Sequence, residues 1–198
     1  NKCQYLDKEL NLTGYFDFEQ DILIFNGMIY NYKEIKQKLK KKNVVFKTES
    51  DSEVLLKFLN LFGEKKLNML DGMWSFAYFN RKNKELILSK DRFGEKPLYY
   101  SRNKQNILFG SSPDYFFYLS KNRFKVNFDT VEKYLKYGWR SVFNNEETFF
   151  KNIHALKPGS YMKINKKLEI ENKNYWNPKS VKIKKNLNYN LEKKKLLK

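Results

Sequence analysis

The side chains in this chain that could do chemistry are few and widely spaced. Asn26 and Gly27 close an apolar run, Asp51 stands at the start of a helical pattern, and there is one cysteine, Cys3, and one histidine, His154. A single thiol builds neither an internal disulfide framework nor a cysteine-based zinc site, and a single imidazole builds no histidine-rich metal cluster. Taken alone, Asn-Gly is above all a turn signal. A carboxylate in the first turn of a helix stabilises it by roughly 0.3 to 1 kcal/mol through the helix dipole.

The elements that must position these residues follow from the apolar pattern. "DILIFN" (21 to 26) is a short apolar run bounded by turn residues, which reads as a buried strand leading into the Asn-Gly turn. From Asn31, a good N-cap, Ile35 and Leu39 recur four apart up to the Lys run 40 to 42, giving a helix. "VVF" (44 to 46) suggests a short strand. In "SDSEVLLKFLNLFG", Ser50 and Glu53 have capping-box spacing, and Gly63 closes the second helix.

"MWSFAYFN" (73 to 80) and "ELILSK" (85 to 90) flank a polar turn as a hairpin, and "PLYYS" with "NILFG" forms two more strands. A helix is expected from Asp129 to Gly138, and a final hairpin from "GSYMKIN" and "LEIENKNYW". Two helices followed by a strand-rich remainder indicate an α+β fold.

The chain has 198 residues, 40 Lys+Arg against 22 Asp+Glu and a formal charge of +18. Such an excess favours polyanionic partners when it is clustered. Here it is spread and nearly all lysine, with arginine only at positions 81, 92, 102, 123 and 140, so the reading is a solvated surface and no nucleic-acid partner. No apolar run reaches the roughly 18 residues of a membrane span and no signal-peptide pattern opens the chain, so no membrane partner and a cytoplasmic location are expected. The chain opens with Asn and ends in "LEKKKLLK", and both ends are expected to be cut.

The run "DGMWSFAYFNRKNKELILSKDRFGEKPLYYS" closely resembles the glutaminase domain of the glutamine-hydrolysing asparagine synthetases, a branch of the class II (N-terminal nucleophile) amidotransferases. "FNGMIYNYKEIKQKL", "TESDSEVLL", "TFFKNIHALKPGSYMKI" and "NYW" resemble further segments of that family, in the same order. The fold this implies is the four-layer αββα sandwich of the N-terminal-nucleophile hydrolases, incomplete at its N-terminal part. The expected division is a partial glutaminase domain over residues 1–178 and, over 179–198, a linker or the start of a missing ATP-dependent synthetase domain.

The resemblance also assigns roles. In the family an N-terminal cysteine thiolate, with the free α-amino group as base, attacks the glutamine amide, and the resulting oxyanion needs preorganised donors. Asn26 and Gly27 match the family's oxyanion-hole pair, and Asp51 matches the carboxylate that binds the substrate ammonium. Met28 stands where the family usually has a glutamate on that ammonium. Losing one charge-assisted contact costs about 1.5 to 3 kcal/mol, so weak glutamine binding is expected. Cys3, in "NKCQYL", does not match the family's Cys-Gly-Ile opening and is read as a small packing thiol; the nucleophilic cysteine is absent from the chain, and the chain alone is expected to be inactive.

Asp91, Arg92, Gly94 and Pro97 could serve an interface with the synthetase domain or simply a tight turn, the structural account being favoured. "FGSSPDYF" departs from the family's usual sequence there, and His154 is read as a surface or packing residue.

The resemblance thus implies a fragment of a glutamine-dependent asparagine synthetase, which would hydrolyse glutamine to supply ammonia for ATP-dependent amidation of aspartate. The alternative is a catalytically degenerate glutaminase-like interaction or regulatory module. Expected partners are glutamine, a synthetase domain in cis and, when intact, a second copy in a homodimer. No cofactor is expected in this chain, while ATP and Mg belong to the missing domain.

Overall fold

The computed structural model describes residues 13–18, 21–103, 105–120, 124–138 and 146–180, with single positions at 189 and 193. Cys3 and nearly all of the expected linker lie outside the described residues.

Strands β1 (Thr13–Phe18), β2 (Asp21–Ile29), β3 (Gly72–Asn80), β4 (Glu85–Lys90), β8 (Ser160–Ile164) and β9 (Ile170–Asn174) form one antiparallel six-stranded sheet in the order β1-β2-β3-β4-β8-β9. Strands β5 (Tyr99–Arg102), β6 (Ile107–Gly110) and β7 (His154–Ala155) form a second, in the order β6-β5-β7.

Two-residue alternation decides the faces of the large sheet. Leu23, Phe25 and Ile29 of β2, with Trp74, Phe76 and Tyr78 of β3, point to one side and are buried under helices α1 (Tyr32–Lys40) and α2 (Asp51–Phe62). Ala77, Leu88, Met162 and Ile164 point to the other and meet Leu98, Tyr100 and Phe109 around the small sheet. Helix α3 (Asp114–Ser120) packs on β6, and α4 (Phe128–Tyr137) follows it in the chain. The order is helix, sheet, sheet, with α3 joined to the second sheet.

Helix α2 is the main apolar anchor. Val54, Leu55, Phe58 and Leu59 recur at helical spacing and are almost completely buried, each worth roughly 1.5 to 3 kcal/mol in transfer from water. Its start is half of the expected capping box. The Ser50 hydroxyl accepts the Glu53 N–H at 3.2 Å, but the Glu53 carboxylate does not return to Ser50. It accepts from the N–H groups of Lys47 (2.9 Å) and Thr48 (2.7 Å) and from the Thr48 hydroxyl (2.7 Å).

Those bonds explain why "VVF" is not a strand. Segment 44–46 is irregular, because its neighbours' backbone donors are spent on α1 and Glu53: Val44 N–H bonds the Leu39 carbonyl, and Val45 stays exposed. Asn31 is a second correction. It precedes α1 but makes no side-chain cap; its carboxamide accepts the Asp71 N–H (2.9 Å) and donates to the Met69 carbonyl (2.9 Å), tying the helix start to the segment before β3.

The hairpins at 72–90 and 160–174, the β5–β6 pair and α4 with its Gly138 terminator (φ 73°) form as the pattern predicts. Strands β1 and β7 and helix α3 carry too little apolar periodicity to have been anticipated.

Candidate active site

The largest revision concerns Asn26-Gly27. They are not in a turn: β2 runs through them to Ile29, with Asn26 opposite Ser75, Gly27 opposite Trp74 and Met28 opposite Met73. Gly27 has φ 149°, a conformation open chiefly to glycine, and a Cβ there would lie 2.2 Å from the Met73 carbonyl oxygen and 2.7 Å from Trp74 Cα. Gly72 mirrors it with φ 149°, its absent Cβ falling 2.2 Å from the Met28 carbonyl oxygen. The two strands therefore approach at a spacing only glycines allow, and the pairing continues to the end of β2 where a turn was expected.

That end is where Asp51 arrives. As the first residue of α2 it accepts the Ile29 N–H through Oδ2 at 2.9 Å, and the Ser52 hydroxyl donates to Oδ1 at 3.4 Å. Helix and strand are joined at one point, so Asn26, Gly27, Met28 and Asp51, separated by up to 25 positions in sequence, share one corner of the fold. Thr13 of β1 pairs with Asn26, and three residues further along β2 the Ile29 N–H is taken by the carboxylate.

Asn26 is half-buried on the face away from α1 and α2, and no described residue hydrogen-bonds its carboxamide. Met28 is 44% exposed on the same face, a thioether turned to solvent. The row across the sheet from Asn26 runs through buried Ser75 to Lys90, directly paired residues whose side chains share a face. The sequence singled out neither Ser75 nor, at the far end of the row, Lys90. Burial lowers the pKa of its ammonium below the usual lysine value, with Asp91 pulling the other way. A lysine after an apolar strand reads as an exposed end, and only pairing reveals the row.

The loop after β4 supports this corner from behind. Asp91, 1% exposed, accepts N–H groups through Oδ1 from Phe93 (2.9 Å), Gly94 (2.7 Å) and Glu95 (3.1 Å) and through Oδ2 from Trp74 (3.2 Å) and Lys96 (3.1 Å). Arg92 donates to the carbonyls of Asn68 (3.0 Å) and Leu70 (2.9 Å) and to Asp71 Oδ1 (3.3 Å), holding the segment that enters Gly72. Gly94 has φ 73°. Both charged side chains and the glycine are consumed within the fold, in line with the structural account of this loop. The Tyr175 ring lies over Trp74 (6.0 Å, 21° between planes), and its hydroxyl donates to the Lys90 carbonyl at 2.9 Å.

His154 is on β7, opposite Tyr100 and with its ring 5.4 Å away, apart from the Asn26 corner. Among the described residues no three His, Cys, Asp or Glu side chains come together as a metal site, and no helix is long and apolar enough to cross a membrane.

The two antiparallel sheets and the helices packed on them form an α+β sandwich. The family profile described as "Glutamine amidotransferase domain" matches residues 16–176, and the chain belongs to that family. Among its relatives, the asparagine synthetase [glutamine-hydrolyzing] 2 of Bacillus subtilis is 32% identical over 176 residues, covering 86% of this chain and 23% of the relative. The putative asparagine synthetase [glutamine-hydrolyzing] 2 of Methanocaldococcus jannaschii is 32% identical over 179 residues, covering 89% and 32%. The chain thus spans about a quarter to a third of these relatives' length. In fold it is similar to the glutamine phosphoribosylpyrophosphate amidotransferase from B. subtilis, solved with ADP and GMP (TM-score 0.54, 21% identity, 83% of this chain and 31% of that one).

Proposed function

We propose that this chain forms the glutamine site of a glutamine-hydrolysing asparagine synthetase. The observation that carries the reading is the 2.9 Å bond from the Ile29 N–H to Asp51, which sets a carboxylate at the strand end bearing Asn26, Gly27 and Met28. In this reading Asp51 holds the substrate ammonium, and the Asn26 carboxamide and Gly27 N–H face the oxyanion. The hydrolysis itself needs a nucleophilic cysteine other than Cys3, so the chain alone is inactive in this reading, and ammonia released in the longer protein would amidate an ATP-activated aspartate. ATP and Mg would act in the synthetase part of the longer protein. A synthetase domain in cis, homodimerisation, a cytoplasmic location and indifference to nucleic acid complete the proposal.

Met28 favours a second reading. A thioether where the family's usual glutamate stood offers the ammonium no charge, as expected of a degenerate module that serves interaction or regulation. Calorimetric titration of glutamine separates the two. Met28→Glu should tighten binding by about ten- to a hundredfold if one charge-assisted contact is restored, and Asp51→Asn should abolish the gain. Tight binding that ignores Met28→Glu would refute the glutamate assignment; no binding in either protein would favour the interaction module.

A further inference from the structure

A second polar concavity lies between the two sheets, over β8 and β9, with β3 and β4 intervening between it and Asn26. Its volume is about 290 Å³. Tyr100 and Arg102, two apart on β5, lie on the same face of that strand, and His154 on β7 is directly opposite Tyr100. Met162 of β8 and Asn172, its partner on β9, line the first-sheet side, and Asn152 closes the rim. Among the described residues, no carboxylate lines the cleft.

The loop that carries Asn152 is held in place by other contacts. Asn152 sits at φ 66°, a left-handed conformation that asparagine tolerates better than most residues. The loop carrying it is clamped by buried Thr148, whose hydroxyl donates to the Ile153 (2.8 Å) or Phe150 (3.0 Å) carbonyl and accepts the Phe150 N–H at 3.1 Å. The nearby carboxylates are neutralised elsewhere: Glu146 pairs with Lys157 at 2.9 Å and Glu147 with Lys133 at 3.7 Å. Burial, with Glu146 adding to it, raises the Tyr100 pKa, so its hydroxyl stays a neutral donor at physiological pH. Arg102 has no carboxylate partner among the described residues.

A guanidinium fork, two carboxamides, an imidazole and a phenol around an apolar patch form a donor-rich site, with the nearby Glu146 paired to Lys157. Such a set matches the oxygens of a phosphate or carboxylate group. We propose that this cleft binds a small anion through phosphate or carboxylate oxygens, with Arg102 as its charged donor and Asn152 and Asn172 as amide donors. The site does not depend on the glutamine reading, because it uses none of the residues of that corner.

His154 is the chain's one histidine, so its ring resonances report on the cleft alone. The test is an NMR titration of the 198-residue chain with inorganic phosphate and, separately, succinate, at fixed pH and with ionic strength held by sodium chloride. The expected result is a saturable shift of the His154 ring signals, with the midpoint raised roughly tenfold or more by Arg102→Gln. It should be unchanged by Lys38→Gln, an exposed lysine of α1 across the large sheet from the cleft that controls for the overall positive charge. Saturation by phosphate alone assigns a phosphate-bearing ligand; saturation by succinate alone, or by both, assigns carboxylate recognition. A drift that never saturates with either anion, or a midpoint equal in Arg102→Gln, overturns the proposal.

Discussion

Replacing Gly27 by alanine tests the close approach of β2 and β3 that shapes the Asn26 corner. Two costs add. At φ 149° an L side chain occupies a strained backbone region, about 1 to 3 kcal/mol. The added methyl would lie 2.2 Å from a backbone oxygen and 2.7 Å from a Cα on a fully paired strand, so relief requires moving β3, at about 1 to 3 kcal/mol for overpacking. The expected loss is about 2 to 6 kcal/mol, a large part of the 5 to 15 kcal/mol of a typical domain.

Gly63→Ala is the control. It too has a positive φ, 63°, with ψ −166°, a backbone region kept almost entirely to glycine, but a Cβ there meets nothing within 4 Å, so only the backbone strain of about 1 to 3 kcal/mol applies. Urea unfolding followed by tryptophan fluorescence should place Gly27→Ala about 1 to 3 kcal/mol below Gly63→Ala, roughly five- to 150-fold in the folding constant. Equal losses, with equal denaturant slopes, would refute the argument that the β2–β3 spacing demands glycine.

Asp91→Asn should cost at least about 2 kcal/mol, because an amide nitrogen replaces one of two oxygens that together accept five backbone N–H groups in a buried site; the same urea assay reads it, and a loss under 0.5 kcal/mol would reduce the loop's hydrogen bonds to surface contacts. At Glu53, burial pushes the carboxyl pKa up, but the bonds from Lys47 and Thr48 outweigh it and hold the group below its ordinary 4.5. A depressed folded-state pKa means stability present above 4.5 and lost as pH falls through the folded value. The stability gap between wild type and Glu53→Gln should therefore be full at pH 7 and shrink below about pH 4.5, as urea midpoints across that range would show.

Both site predictions above, Met28→Glu for glutamine and Arg102→Gln for the cleft anion, rest on groups that face solvent, so their effects on binding are separable from folding.

Much of this protein was legible from local signals. The period-two runs at 72–90 and 160–174 and the helical spacing of Val54, Leu55, Phe58 and Leu59 marked their elements, because side-chain periodicity is a property of the chain itself. The ordered motifs from "FNGMIY" to "NYW" likewise pointed to the family before any packing was known. What pairwise contact decides was hidden. Asn-Gly reads as a turn because its local preference is a turn; only the neighbouring strand, whose carbonyl fills the space a Cβ would take, carries it into β2. Asn31 and Glu53 have the right types and positions for caps, yet their polar atoms are drawn to Asp71 and to segment 47–48, partners that exist only once the chain has folded. The same holds for Lys90 and Arg102, ordinary basic residues in sequence, whose surroundings are set by strand register and by the meeting of two sheets.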